Sequence, residues 1–214
     1  MSHLLIHRGL AKKNFKENTI SAFKYCFKKK YGIETDIHCT KDNKIVCFHD
    51  FNLKKQFKIN KNLKNIKYQD LLKISKNKKK PIPLLNDLIK LSKNKRFLML
   101  EIKPLFNKKK LKILLKEIKG LKNYSITSFK EQNIIDLYKI KKNLNLGLLI
   151  PSTFKFNNII KKSKKKYVKF LILEKKFLRD KKINRIKKKI YYYTIKNKKL
   201  FQKFNNKNLI FENL

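Results

Sequence analysis

The 214 residues carry 58 lysines and arginines against 14 acids, a formal charge of +44, and only four of those bases are arginine. Apolar residues at 42% and aromatics at 12% rule out a disordered basic tail, and no stretch approaches the roughly 20 apolar residues of a membrane-spanning helix. Met1-Ser2 runs straight into Leu4-Leu5-Ile6 without a basic leader, so a cytoplasmic protein is expected.

In chain order, short apolar runs predict strands at 4–7, 33–37, 97–102, 124–127, 146–150, 170–173, 190–194 and 209–211, with a hairpin arm at 45–48. Amphipathic stretches lie between them. Ile20, Phe23 and Phe27 share a helical face behind an Asn18/Thr19 start, and Ile134, Leu137 and Tyr138 share another after Ser128. Residues 61–91 hold two helical pieces broken at Pro81 and Pro83. Eight strands alternating with helices predict a compact α/β (β/α)8 TIM barrel in one domain, residues 1–214, without an inserted lid domain. The open doubly wound sheet is the structural alternative, because periodicity does not report closure. Only four glycines are available for the turns, so asparagines must take some positive-φ positions.

The lysines are spread over almost every segment, and arginine, the usual bidentate reader of phosphate and base edges, is scarce. No specific nucleic-acid partner is expected; the positive field instead speeds encounter with anionic substrates or an anionic membrane surface. Cys26, Cys39 and Cys47 are odd in number and lack CxxC spacing, which fits a reducing compartment rather than a disulfide or zinc scaffold.

The scarce groups are unevenly placed. All four histidines fall within the first 50 residues. Glu34 and Asp36, two residues apart in one strand, face the same way, as do Glu101 and Lys103 at the end of another. His7 and Arg8 end the first strand. In a barrel these strand ends converge on one mouth. Several buried carboxylates need compensating positive charge, and three converging ones suit a hard divalent cation, Mg²⁺ or Ca²⁺. Pairing with nearby lysines is the alternative for any one of them.

The series His7-Arg8-Gly9, Glu17-Asn18-Thr19, Glu34-x-Asp36, His49-Asp50 and Glu101-x-Lys103 resembles the glycerophosphodiester phosphodiesterase family in order, spacing and strand context. The resemblance implies a metal-dependent phosphodiesterase on a (β/α)8 barrel that splits a small glycerophosphodiester into glycerol 3-phosphate and an alcohol. By motif, Glu34, Asp36 and Glu101 are the implied metal ligands, His7 and His49 the acid/base pair, and Arg8 the phosphoryl anchor. Lys103 is expected on phosphate or on a ligand carboxylate, Glu17 bracing Arg8, and Asp50 fixing the turn after His49. His3 is expected to be structural, and His38, one residue past Asp36, to face away from the site.

The last third departs from the family pattern. Where relatives carry a Trp-Thr-Val-Asn-like run, this chain reads Tyr193-Thr194-Ile195-Lys196-Asn197, with Tyr193 left to wall the substrate pocket. The final strand reads Leu209-Ile210-Phe211-Glu212-Asn213 in place of Gly-Ile-x-Thr-Asp, and no closing helix follows. Two alternative functions remain. A lysophospholipid-cleaving version of the same centre calls for an exposed apolar lip beside the mouth. A basic nucleic-acid-binding protein on a decayed barrel calls for loss of the site residues, which are intact.

Overall fold

The computed structural model describes residues 3–214. Strands β1 (Leu4–His7), β2 (Gly32–Cys39), β4 (Leu98–Ile102), β5 (Tyr124–Ser128), β6 (Leu146–Leu149), β7 (Phe170–Glu174), β8 (Lys189–Ile195) and β9 (Asn208–Phe211) form a parallel ring. It closes because β1 pairs in parallel with both β2 and β9. Closure decides for the TIM barrel over the open sheet. The hairpin arm β3 (Ile45–Cys47) pairs antiparallel with Ile37–Cys39 at the carboxyl end of β2.

The helices cover the outside of the ring. In α1 (Ile20–Lys28), Thr19 caps the first turn by accepting from the Ala22 amide at 3.4 Å, and Ala22, Phe23, Cys26 and Phe27 form the buried stripe. A short helix α2 (Lys54–Phe57), then α3 (Tyr68–Asn77) and α4 (Leu85–Ser92), fill the long connection from β3 to β4, with the break at Pro81 and Pro83 as expected. Helices α5 (Lys108–Glu117), α6 (Glu131–Ile140), α7 (Phe156–Ser163) and α8 (Lys198–Lys203) follow β4, β5, β6 and β8. Between β7 and β8 the chain makes two 3₁₀ turns, Lys175–Arg179 and Lys181–Arg185, instead of an α-helix. Phe177, Leu178 and Ile183 still bury their side chains there, so that crossover keeps its apolar anchor without a helix.

Alternate residues of each strand fill the ring. Leu5, Met99, Leu149, Phe170, Ile172, Tyr191 and Ile210 pack as one interior cluster. Gly147 is required there: a Cβ at that position would stand 2.2 Å from the Phe170 ring. Positive-φ turns use Asn18, Asn43, Asn94 and Asn213, as the glycine shortage implies, but also Arg8 and four lysines.

Candidate active site

Strand register assembles the site. His7 lies level with Glu34 across the β1–β2 pair, and Asp36 level with Glu101 across β2–β4. Period two turns all four inward at the carboxyl end of the ring. His49 arrives from outside it: β3 runs back down beside β2, the Phe48 amide bonds the Asp36 carbonyl at 3.0 Å, and the next residue reaches the mouth. His7, Glu34, Glu101 and His49 line a cavity of about 230 Å³ together with Arg8, Lys103 and Tyr193, while Asp36 is buried outside its lining. Its floor and far wall are apolar, formed by Met99, Leu149, Ile172 and Ile210.

Glu34, Asp36 and Glu101 are all buried, and each offers one carboxylate oxygen within 4.8 Å of the others. Burial, reinforced by the negative neighbours Asp36 and Glu101, pushes the Glu34 carboxyl well above its ordinary range. The Glu101 carboxyl is pushed up to about 7 by burial and by Asp36, against the pull of Lys103. For Asp36 burial also acts upward, but Arg8 and Lys103 outweigh it and hold the carboxyl low. Lys103 Nζ lies 2.9 Å from Glu101 Oε1 and 3.4 Å from Asp36 Oδ1, so it answers two of the three. Glu34 Oε2 is buried without a hydrogen bond; its neighbour is His7 Nε2 at 3.9 Å. An all-oxygen donor set in which Glu34 Oε2 has no hydrogen bond, and in which burial and negative neighbours raise the proton affinity of Glu34 and Glu101, fits a hard divalent cation.

Arg8 sits in the left-handed region, with φ of 51°, in the turn that Gly9 completes at φ of 75°. Its Nε lies 2.9 Å from Asp36 Oδ2, and Nη1 donates to Glu17 Oε2 at 3.0 Å. Glu17 is itself fixed by Gln56, whose Nε2 donates to Glu17 Oε1 at 2.8 Å and to Asp50 Oδ2 at 3.1 Å; Lys80 bonds the same glutamine. Asn18 links Thr35 and Asp36, accepting from Thr35 Oγ1 at 2.8 Å and donating to Asp36 Oδ2 at 3.3 Å.

Both site histidines carry a carboxylate on Nδ1. His49 Nδ1 is 2.8 Å from Asp50 Oδ1, so Asp50 holds the imidazole itself rather than only the turn after it. His7 Nδ1 is 2.5 Å from Glu212 Oε2. Glu212 is buried, which acts upward, yet bonds from His7 and Lys196 bring its carboxyl down to about 2; it is an acceptor, and Nδ1–H of His7 donates. Lys196 Nζ lies 2.6 Å from the other Glu212 oxygen. In both rings Nε2 is left as the nitrogen available to substrate.

Glu212 was not singled out by the sequence, where it stands in a departure from the family pattern. The available signal was its spacing, two residues after Ile210, which turns it inward in the strand that closes against β1. His38 is buried, faces out of the ring as expected, and meets the His49 carbonyl at 3.1 Å through Nε2. His3 sits at the opposite end of the barrel on the Tyr191 hydroxyl, 2.8 Å away. Tyr193 lines the cavity, and burial with Glu101 and Glu174 nearby pushes its hydroxyl up to about 12, so it stays protonated.

Solved structures share this architecture. The glycerophosphodiester phosphodiesterase of Thermotoga maritima matches with a TM-score of 0.83 at 21% identity, over 100% of this chain and 95% of that one. An Oleispira antarctica phosphodiesterase, solved in complex with the product sn-glycerol-3-phosphate, matches with a TM-score of 0.81 at 18% identity, over 100% and 93%. At such identities these matches establish the fold. Lysophospholipase D GDPD1 of Homo sapiens is 40% identical over 72 residues, which are 33% of this chain and 23% of that protein. The pattern of the glycerophosphoryl diester phosphodiesterase family matches residues 7–211, and the chain belongs to that family.

Proposed function

We propose that this chain is a metal-dependent phosphodiesterase that hydrolyses glycerophosphodiesters to glycerol 3-phosphate and an alcohol, acting in the cytoplasm as one domain over residues 1–214. The observation that carries the reading is the meeting, at one end of the barrel, of three buried carboxylates and two imidazoles each braced by its own carboxylate. Glu34, Asp36 and Glu101 hold the cation, Mg²⁺ or Ca²⁺, which when bound supplies Lewis-acid charge to a nonbridging phosphoryl oxygen. Arg8, its guanidinium anchored by Asp36 and Glu17, presents its remaining N–H groups to another. One imidazole takes the proton of the attacking oxygen at Nε2, and the other supplies a proton to the departing alcohol oxygen. Both direct attack by water and prior attack by a neighbouring glycerol hydroxyl, through a cyclic phosphate, fit this arrangement. Lys103 favours the ionised forms of Glu101 and Asp36, and Tyr193 offers a hydroxyl and a ring to the glycerol end. The glycerol 3-phosphate held by the Oleispira protein supports the product.

A second substrate class, lysophospholipids, is favoured by the lysophospholipase D name of the curated relatives and by exposed apolar side chains at the mouth. The test is release of glycerol 3-phosphate from glycerophosphocholine with Mg²⁺, Ca²⁺ or chelator, in wild type, His7→Ala and Glu34→Ala. Turnover is expected only with metal, falling by about 10²–10⁴ in His7→Ala and to background in Glu34→Ala. Full activity in chelator or in either variant overturns the reading.

A further inference from the structure

Four large apolar side chains are exposed among the described residues, and all four follow strands at the mouth end of the barrel. Leu105 (60% exposed) follows β4, Phe51 (54%) follows β3, Phe129 (38%) follows β5, and Leu214 follows β9. Exposed leucines and phenylalanines scattered singly carry no message; their confinement to one end does. Phe51 and Leu105 line one groove of about 320 Å³, with Lys64 and Lys110 at its edges. The Phe51 ring packs edge-on against His38 at 5.2 Å, which meets the His49 carbonyl. Phe129 lies 6.3 Å from the Tyr193 ring at the cavity itself, with Lys103 Nζ 5.9 Å from its centroid. The apolar tips therefore run from the groove to the cavity opening.

We propose that this lip is an interfacial docking surface for a phospholipid bilayer carrying anionic headgroups, which sets the cavity opening against the lipid. Apolar tips ringed by lysines suit the boundary between acyl chains and anionic headgroups. No helix among the described residues is long and apolar enough to cross a membrane, so contact through such a surface would be peripheral. Charge alone does not choose this end. The opposite end has its own basic cavity, lined by Lys30, Lys95, Arg96 and Lys122, but no large apolar side chain is exposed there. General lysine-driven adhesion would engage either end; the lip makes docking directional. The proposal rests on the phosphodiesterase reading only for why lipid contact would matter, and its test does not use turnover.

The chain contains no tryptophan, so one can be introduced as a reporter at each end. Leu105→Trp and Lys122→Trp are mixed with vesicles of equal parts phosphatidylglycerol and phosphatidylcholine, with and without bromine on the acyl chains. The indole from Leu105→Trp is expected to shift to the blue and be quenched by bromine, while that from Lys122→Trp is unaffected. Equal quenching at both ends, or none at position 105, overturns the proposal. In parallel, Leu105→Ser and Phe51→Ser are each expected to weaken vesicle binding about tenfold, the loss that withdrawing one large side chain from apolar contact implies. Turnover of soluble glycerophosphocholine should stay at the wild-type level in Leu105→Ser. Vesicle affinity unchanged in both variants also overturns it. Loss of glycerophosphocholine hydrolysis in the unsubstituted protein, with directional quenching intact, would instead indict the enzymatic reading alone.

Discussion

The lower and upper parts of the barrel interior are built by the same strands with the same period of two, yet are stabilised by different physics. Below, Leu5, Met99, Phe170, Ile172 and Tyr191 interlock as an apolar plug, with Gly147 leaving room for the Phe170 ring. One step toward the mouth, the same inward positions hold His7, Glu34, Asp36, Glu101 and Glu212. The lower layer gains from dispersion and water exclusion. The upper layer gathers carboxylates whose proton affinity burial raises, and offsets them only in part with Arg8 and Lys103. A layer that is costly in stability on top of one that is cheap is the arrangement expected where the fold supports a reaction.

The largest contrast is expected from Phe170→Ala. Emptying the plug should destabilise the protein by about 3–5 kcal/mol, read as a shift in denaturant midpoint, while turnover per folded molecule stays near wild type. A large loss of specific activity would mean that the two layers are not separable. In the upper layer Glu212→Gln tests the reverse pattern. Removing the carboxylate that orients His7 should lower kcat about 10–100-fold with KM nearly unchanged. An unaltered kcat would leave Glu212 as a partner of Lys196 without a part in orienting His7.

The smallest expected effect isolates burial from mutual repulsion. Glu117, in α5 and outside both layers, has a buried Oε2 without a hydrogen bond, and burial raises its carboxyl to about 7. Its folded-state affinity for the proton exceeds the unfolded one, near 4.5. The linked stability is therefore fully present below about pH 4.5 and is lost as pH rises through 7. Glu117→Gln should leave stability unchanged at pH 4 and raise it at pH 8 by about 1 kcal/mol, discounted for solvent screening. An equal gain at both pH values would show that packing, not ionisation, is responsible.

Much of this was legible in the chain because it is local. Apolar runs marked every strand of the ring, and two-residue spacing put Glu34 with Asp36 and Glu101 with Lys103 on common faces. What could not be read depends on closure and on chain reversal. The His7–Glu212 contact spans 205 positions and exists only because β9 pairs with β1. Gln56 joins Glu17 to Asp50 because α2 carries it beside a residue 39 positions earlier, and nothing in its own neighbourhood announces that. The 3₁₀ turns after β7 carry the same apolar residues a helix would, so composition alone did not separate them. The apolar lip is a further case: Phe51, Leu105 and Phe129 are unremarkable in sequence, and only the barrel brings their loops to one rim.

The central claim, that Glu34, Asp36 and Glu101 share one divalent ion, is tested most directly by equilibrium unfolding of wild type and Glu34→Gln in chelator and in Mg²⁺ or Ca²⁺. In chelator the variant should be the more stable, because it removes a buried carboxylate that Asp36 and Glu101 repel. With cation at about a hundred times its Kd, wild type should gain roughly 2.7 kcal/mol and the variant much less. An equal gain in both proteins, or none in wild type, would contradict the account.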